Sequence, residues 1–216
     1  MMNSPKQEAD YQKKPSTDST TDSNVVFDEQ KAREGTKLLL EAMGRNPEEA
    51  DIFDTWDRRV PSMLKTLTEG MRSEEKPVMR TFDADTDTLI VKTGIPLYSL
   101  CGHHILPFYG VAHVAYRPDD EKVGLSKLIR YVRWQSRRLT TQEELSQNIA
   151  TGLAEELGAR GVIVELTATH MCEVMRGVET VTETITREQA GTITEADRKQ
   201  FCELIQRNGA SVDASY

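Results

Sequence analysis

Thr88-Leu-Ile-Val-Lys-Thr-Gly-Ile-Pro-Leu-Tyr-Ser-Leu100, followed by Phe108-Tyr-Gly-Val-Ala-His-Val-Ala-Tyr116, is where this chain changes from helical to strand periodicity. β-Branched and aromatic residues fill both runs, Gly94 interrupts the first, and Arg117-Pro118-Asp119-Asp120 supplies a turn after the second. The pattern predicts two short strands, 88–93 and 95–100, around Gly94, and a third from Phe108 to Tyr116.

Outward from that core the period is 3.6. Upstream, a helix over Lys31 to Met43 carries Leu38, Leu39, Leu40 and Met43; after Gly44, a second runs from Pro47 to Met71, with Pro61 placed to break or kink it. Downstream, helices are expected over Ser126–Arg138 and Gln142–Leu157, with Thr140 or Thr141 as N-cap and Gly158 as the stop. Strands over Val162–Ala168 and Val181–Thr186 and a helix over Glu195–Arg207 complete the order. This is an α+β chain whose sheet is largely antiparallel. The implied organisation is a disordered tail over 1–24, too polar to offset the entropy of ordering, a helical region over 25–75, a catalytic domain over 76–208 and a flexible end over 209–216.

Composition narrows the function. With 216 residues and 38% hydrophobic content, one domain with an appended tail is expected. A net charge of −8 argues against a nucleic-acid or anionic-membrane binder, so any polyanionic ligand needs a local basic patch. No stretch is apolar enough for a membrane span or ordered like a signal peptide, and the odd cysteine count fits a reducing cytoplasm.

The turn between the central strands carries chemistry. Cys101-Gly-His-His104 and His170-Met-Cys172 hold five of the chain's seven cysteines and histidines. Cys101, His104 and Cys172 form a soft to borderline donor set that selects zinc ahead of iron, and three protein ligands plus water is the catalytic arrangement. His103 and His170 stand beside them, free to move protons. A structural zinc knuckle, or two satisfied core histidines, are the alternatives from the residues alone. A second signal is the stripe Lys127, Arg130, Arg133, Arg137 along one helix face, opposite a core side assigned to Leu125, Ile129, Val132 and Leu139. It begins at a Gly-Leu-Ser-Lys helix start, where free backbone amides also favour an anion, so a phosphate-bearing substrate fits.

Four blocks in order, Ser99–Gly110, Gly124-Leu-Ser-Lys-Leu-Ile-Arg130, Thr141-Gln-Glu143 and Ala168–Gly177 with the two metal segments inside them, resemble GTP cyclohydrolase I over roughly residues 27 to 207. The resemblance implies the tunnelling fold, with antiparallel sheets and helix pairs of several subunits forming an oligomeric barrel, usually a homodecamer of two pentamers. It implies GTP and water as substrates, Zn2+ held by Cys101, His104 and Cys172, and hydroxide attack at C8 of guanine. His170 would protonate the opening ring and His103 assist. Formate leaves, and ring closure on the rearranged ribose gives 7,8-dihydroneopterin triphosphate, which feeds folate-type, pterin and 7-deazaguanine synthesis. Glu143 with Gln142 corresponds to the purine anchor, and Ser126, Lys127, Arg130 and Arg176 to the triphosphate and ribose contacts.

The chain departs from the family pattern at three places. Gly102 stands where glutamate is usual, Arg59 keeps the family's arginine while Ser62 replaces a frequent lysine, and the end after Arg187 is only loosely similar. The other readings are a related cyclohydrolase that stops at an earlier intermediate or a cyclic phosphate, a tunnelling-fold nitrile reductase, and a non-catalytic GTP-binding homologue. Cys101 and Cys172 occur in zinc-ligand blocks and not as an isolated nucleophile, which disfavours the reductase, and retention of all three ligands and both histidines weighs against the non-catalytic homologue.

Overall fold

The computed structural model describes residues 25–84 and 87–212, residues 208–212 by backbone alone. The expected tail, 1–24, lies outside the described residues, and the expected flexible end is described only as far as Val212, where the last helix stops.

Helix α1 (Glu29–Ala42) starts where the Asp28 carboxylate accepts a hydrogen bond from the Lys31 amide at 3.0 Å. The next helical run divides into α2 (Ala50–Asp54), a π-turn (Thr55–Arg59) and α3 (Val60–Leu67). Pro61 has no N–H for the residue four back. The wider turn just before it absorbs that loss, so the helix continues past the proline instead of breaking. It ends at Leu67, short of the expected Met71, and two 3-10 turns follow at Glu69–Met71 and Ser73–Glu75.

The two strands expected around Gly94 are one, β2 (Ile90–Cys101), with a bulge between Lys92 and Ile95. Gly94 sits there at φ +66°, a left-handed conformation that costs glycine little. Short β1 (Thr81–Asp83) pairs with β4 (Glu121–Val123) in a separate ribbon. The main sheet contains β2, β3 (Pro107–Arg117), β5 (Leu139–Thr140), β6 (Gly161–His170) and β7 (Thr184–Gly191) in the order β5-β2-β3-β6-β7. All its pairings are antiparallel except β2 with β5. The last strand was expected to start at Val181, but 181–183 is loop and the strand runs on to Gly191. Strands β3 and β6 approach closely at Gly110, where a Cβ would lie 1.9 Å from the Thr167 carbonyl oxygen.

Helices α4 (Leu125–Ser136) and α5 (Gln142–Leu157) cover one face of this sheet. Leu128, Tyr131, Val132, Leu145, Ile149 and Leu153 meet Leu97, Phe108, Val114, Val164 and Leu166 in the main core. The core side of α4 therefore differs from the expected one. Leu125 and Leu139 are 56% and 40% exposed, because Leu125 only begins the helix and Leu139 lies past its end. Thr141 caps α5 by accepting from the Glu144 amide, and Gly158 ends it at φ +54°. Helix α7 (Glu195–Val212) closes part of the other face, with Phe201 against Leu89, Ala115 and Ile163. No helix among the described residues is long and apolar enough to cross a membrane.

Candidate metal centre and substrate cavity

Strand β2 delivers Cys101 to its end, and a tight turn follows. The Cys101 amide donates to the Leu106 carbonyl at 2.8 Å, while the Cys101 carbonyl accepts from His104 and Ile105, which sets Ile105 at φ +57°. The Gly102 amide donates to the Thr140 carbonyl at 2.9 Å, so β5, though only two residues long, braces the turn. Two strands away β6 ends at His170, and the four-residue helix α6 (Met171–Val174) brings Cys172 back toward Cys101.

The sulfur of Cys101 lies 3.8 Å from His104 Nδ1 and 4.0 Å from Cys172 Sγ, and the three donor atoms fall within 4.8 Å of one another. A tetrahedral zinc with bonds of about 2.0 Å to nitrogen and about 2.3 Å to sulfur separates its donors by roughly 3.5–3.8 Å. The two separations from the Cys101 sulfur are within a few tenths of an ångström of those values, so the donor set fits that ion. Burial, and next the neighbouring Cys101 sulfur, push the Cys172 thiol up. A divalent cation reverses that preference by stabilising the thiolates.

His103 Nδ1 is 4.0 Å from the Cys101 sulfur on the same turn. His170 is held more firmly. Its ring stacks on Phe108, its cross-strand partner, with centroids 4.7 Å apart and planes 11° from parallel, and its Nε2 lies 2.8 Å from Gln142 Oε1. His103, His170 and Gln142 line a cavity of about 400 Å³ together with Glu143, Glu173 and Arg176. Arg176 reaches His104 Nε2 at 3.1 Å. The Glu143 carboxylate is exposed at the start of α5, and no ion pair engages it among the described residues.

The structure thus gathers Cys101, His103, His104, Gln142, Glu143, His170, Cys172 and Arg176. It does not bring Ser126, Lys127, Arg130 or Arg59 to the cavity of the same chain. Arg59 is paired with Asp54 at 3.6 Å, and Arg137, the last of the basic stripe, is held by Glu69. Two features of the site were missed in the sequence. Glu173 accepts from the Thr182 hydroxyl at 3.1 Å and, through its carbonyl, from the Thr180 amide at 3.3 Å, fastening the loop that carries Arg176. Its position next to Cys172 was the available signal. Phe108 gave none, because strand register alone puts it on His170.

Residues 32–206 match the family model of GTP cyclohydrolase I. The chain is similar to a GTP cyclohydrolase 1 of Bifidobacterium longum (strain NCC 2705), 42% identical over 174 residues that cover 80% of this chain and 84% of that one. It is 41% identical over 180 residues to a GTP cyclohydrolase 1 of Streptococcus thermophilus (strain CNRZ 1066), covering 82% and 95%. To a GTP cyclohydrolase 1 of Hyperthermus butylicus it is 40% identical over 177 residues, covering 82% and 86%.

Proposed function

The chain belongs to the GTP cyclohydrolase I family, and from that premise we propose that it opens the imidazole ring of GTP with zinc, releases formate and forms 7,8-dihydroneopterin triphosphate. The observation that carries this reading is the convergence of Cys101, His104 and Cys172 with His170 and Glu143 on one cavity. A zinc ion held there supplies Lewis acidity and lowers the pKa of a coordinated water toward neutrality.

The chain's own residues do the rest. Glu143 accepts hydrogen bonds from N1–H and the 2-amino group of guanine. Adenine has no donor at either point and would leave the carboxylate unpaired, which costs several kcal/mol in a dehydrated site. His170 moves a proton to the guanine ring as it opens, and His103 assists transfers from the neighbouring turn. Arg176 engages the triphosphate or ribose.

Arg176 is the one lysine or arginine among the cavity's lining residues, and Glu143 and Glu173 share the space with it. A triphosphate needs more positive charge than that. We infer that Lys127, Arg130 and Arg59 supply it, with the Ser126 hydroxyl as a further hydrogen-bond donor, from a neighbouring copy in a homo-oligomer, with two pentamers as the expected form.

The test is to incubate zinc-loaded protein with GTP and follow formate release and, after oxidation, pterin fluorescence. The parent should carry about one zinc per chain and yield both products, whereas Cys172→Ser should lose metal and activity together. Formate without pterin fluorescence would favour the truncated reaction, and full zinc in Cys172→Ser would overturn the ligand set.

A further inference from the structure

The Gln142 side chain is turned into the protein. It is 1% exposed, and its Nε2 lies 3.1 Å from the Leu166 carbonyl, 2.8 Å from the Thr184 carbonyl and 3.3 Å from the Thr186 hydroxyl. Carbonyl oxygens only accept hydrogen bonds, so the atom facing them has to be the amide NH2, and the two N–H groups meet two carbonyls. That settles which way round the amide sits, a point that its shape alone leaves open. The other end, Oε1, is then a pure acceptor 2.8 Å from His170 Nε2.

A chain of consequences follows for His170. An acceptor at that distance requires Nε2 to carry the hydrogen, and in a neutral imidazole Nδ1 is then bare. Among the described residues no hydrogen bond engages Nδ1, and His170 lines the cavity. Phe108, stacked on the ring, limits its rotation out of the Gln142 plane. The strands fix the arrangement from both sides: Leu166 belongs to β6, which also carries His170, while Thr184 and Thr186 belong to β7 beside it.

We propose that Gln142 is a positioning residue that selects the Nε2–H tautomer of His170 and fixes its ring, leaving Nδ1 as the nitrogen that takes up and returns the proton during ring opening. The proposal rests on the cyclohydrolase reading and deepens it. Gln142 thereby acts through His170, and the purine is left to Glu143.

The test combines a spectroscopic and a kinetic readout. The chain has four histidines, so [15N]histidine labelling gives few ring-nitrogen signals, and those of His170 are identified by their loss in His170→Asn. In the unsubstituted protein His170 should show protonated Nε2 and bare Nδ1. Gln142→Met keeps the side-chain length but removes the acceptor, so the His170 signals should move toward a mixture of tautomers. In the same variant kcat for GTP should fall about 10- to 100-fold while KM stays within about twofold. A bare Nε2 in the unsubstituted protein overturns the proposal, whether or not Gln142→Met folds. A Gln142→Met protein whose KM rises more than about tenfold with kcat retained also overturns it, because that is the behaviour of a purine contact. The tautomer is read without turnover, so failure of the parent to process GTP counts against the functional reading alone.

Discussion

At Glu143 the chemistry depends on one atom. Replacing a carboxylate oxygen by NH2 in Glu143→Gln sets a donor against the two donors of guanine, so kcat/KM for GTP should fall at least about 100-fold, a loss of a few kcal/mol. Zinc content and the thermal midpoint should hold, since Glu143 is exposed and unpaired among the described residues. Turnover equal to the parent would place the purine anchor elsewhere. Gly102 poses the opposite question, of what an absent side chain costs. A Cβ there meets nothing closer than the Thr140 backbone at 3.6 Å, which is ordinary contact, so glutamate can be introduced without strain. The three candidate ligands and both histidines are in place, so the parent should complete the reaction, and Gly102→Glu should speed it by about 10- to 100-fold at most with the product unchanged. A pterin product that appears only in Gly102→Glu would show that the acid is required. That Cys101, His104 and Cys172 come together was legible in the sequence because they lie in two short segments whose spacing is local. The contact of Gln142 with His170 was not, because it depends on which strands flank the side chain.

At the scale of elements, α7 is anchored by one buried carboxylate. Asp197, 1% exposed, pairs with the Arg117 guanidinium at the end of β3 and accepts from the Thr194 amide at 3.0 Å and hydroxyl at 2.7 Å. Arg117 is the largest influence, and it outweighs burial to hold the Asp197 carboxyl at about 2, below the ordinary 3.8. Because the folded value is the lower one, the stabilisation is complete above about pH 4 and is lost as pH falls toward 2. Asp197→Asn keeps a cap acceptor but removes the charge. It should cost about 1–2 kcal/mol at pH 7, and the gap in urea midpoint from the parent should narrow between pH 5 and pH 3. A gap that does not change with pH would mean that the cap, and not the ion pair, anchors α7. Elements of this size divide by how much pattern they carry. Helices α4 and α5 were readable from a dozen or more periodic residues and from Thr141 and Gly158 at the ends of α5. Strands β1, β4 and β5 are two or three residues long and have no period to read. Strand β7 was truncated in the sequence because Arg187 and Glu188 look like loop residues. In the sheet Arg187 is the cross-strand partner of Glu165 and donates to it, and that pairing makes a charged residue acceptable in the strand.

For the whole molecule, the charge at the cavity and the charge the substrate needs do not balance within one chain. The protein carries −8 overall, and Arg176 is the one lysine or arginine lining the site, while Lys127 and Arg130 lie on α4 outside it. Helix α1 and its C-cap residue also present Leu38, Leu39 and Met43 at 64%, 64% and 70% exposure, apolar area of the kind that contacts between copies bury. If each working site takes its metal and His170 from one chain and Lys127 from the next, two inactive variants should repair each other. Lys127→Ala spoils the phosphate side of a site and His170→Ala its proton-transfer side, so each alone should be nearly inactive toward GTP. In a mixed oligomer formed by co-expressing the two in equal amounts, half the sites have an intact His170, and half of those meet an intact Lys127. Activity should therefore recover to about a quarter of the parent's. Light scattering on the same sample should report an assembly larger than the 24.4 kDa chain. If the mixture stays as inactive as its components, Lys127 serves the site of its own chain and the proposed sharing between subunits is wrong.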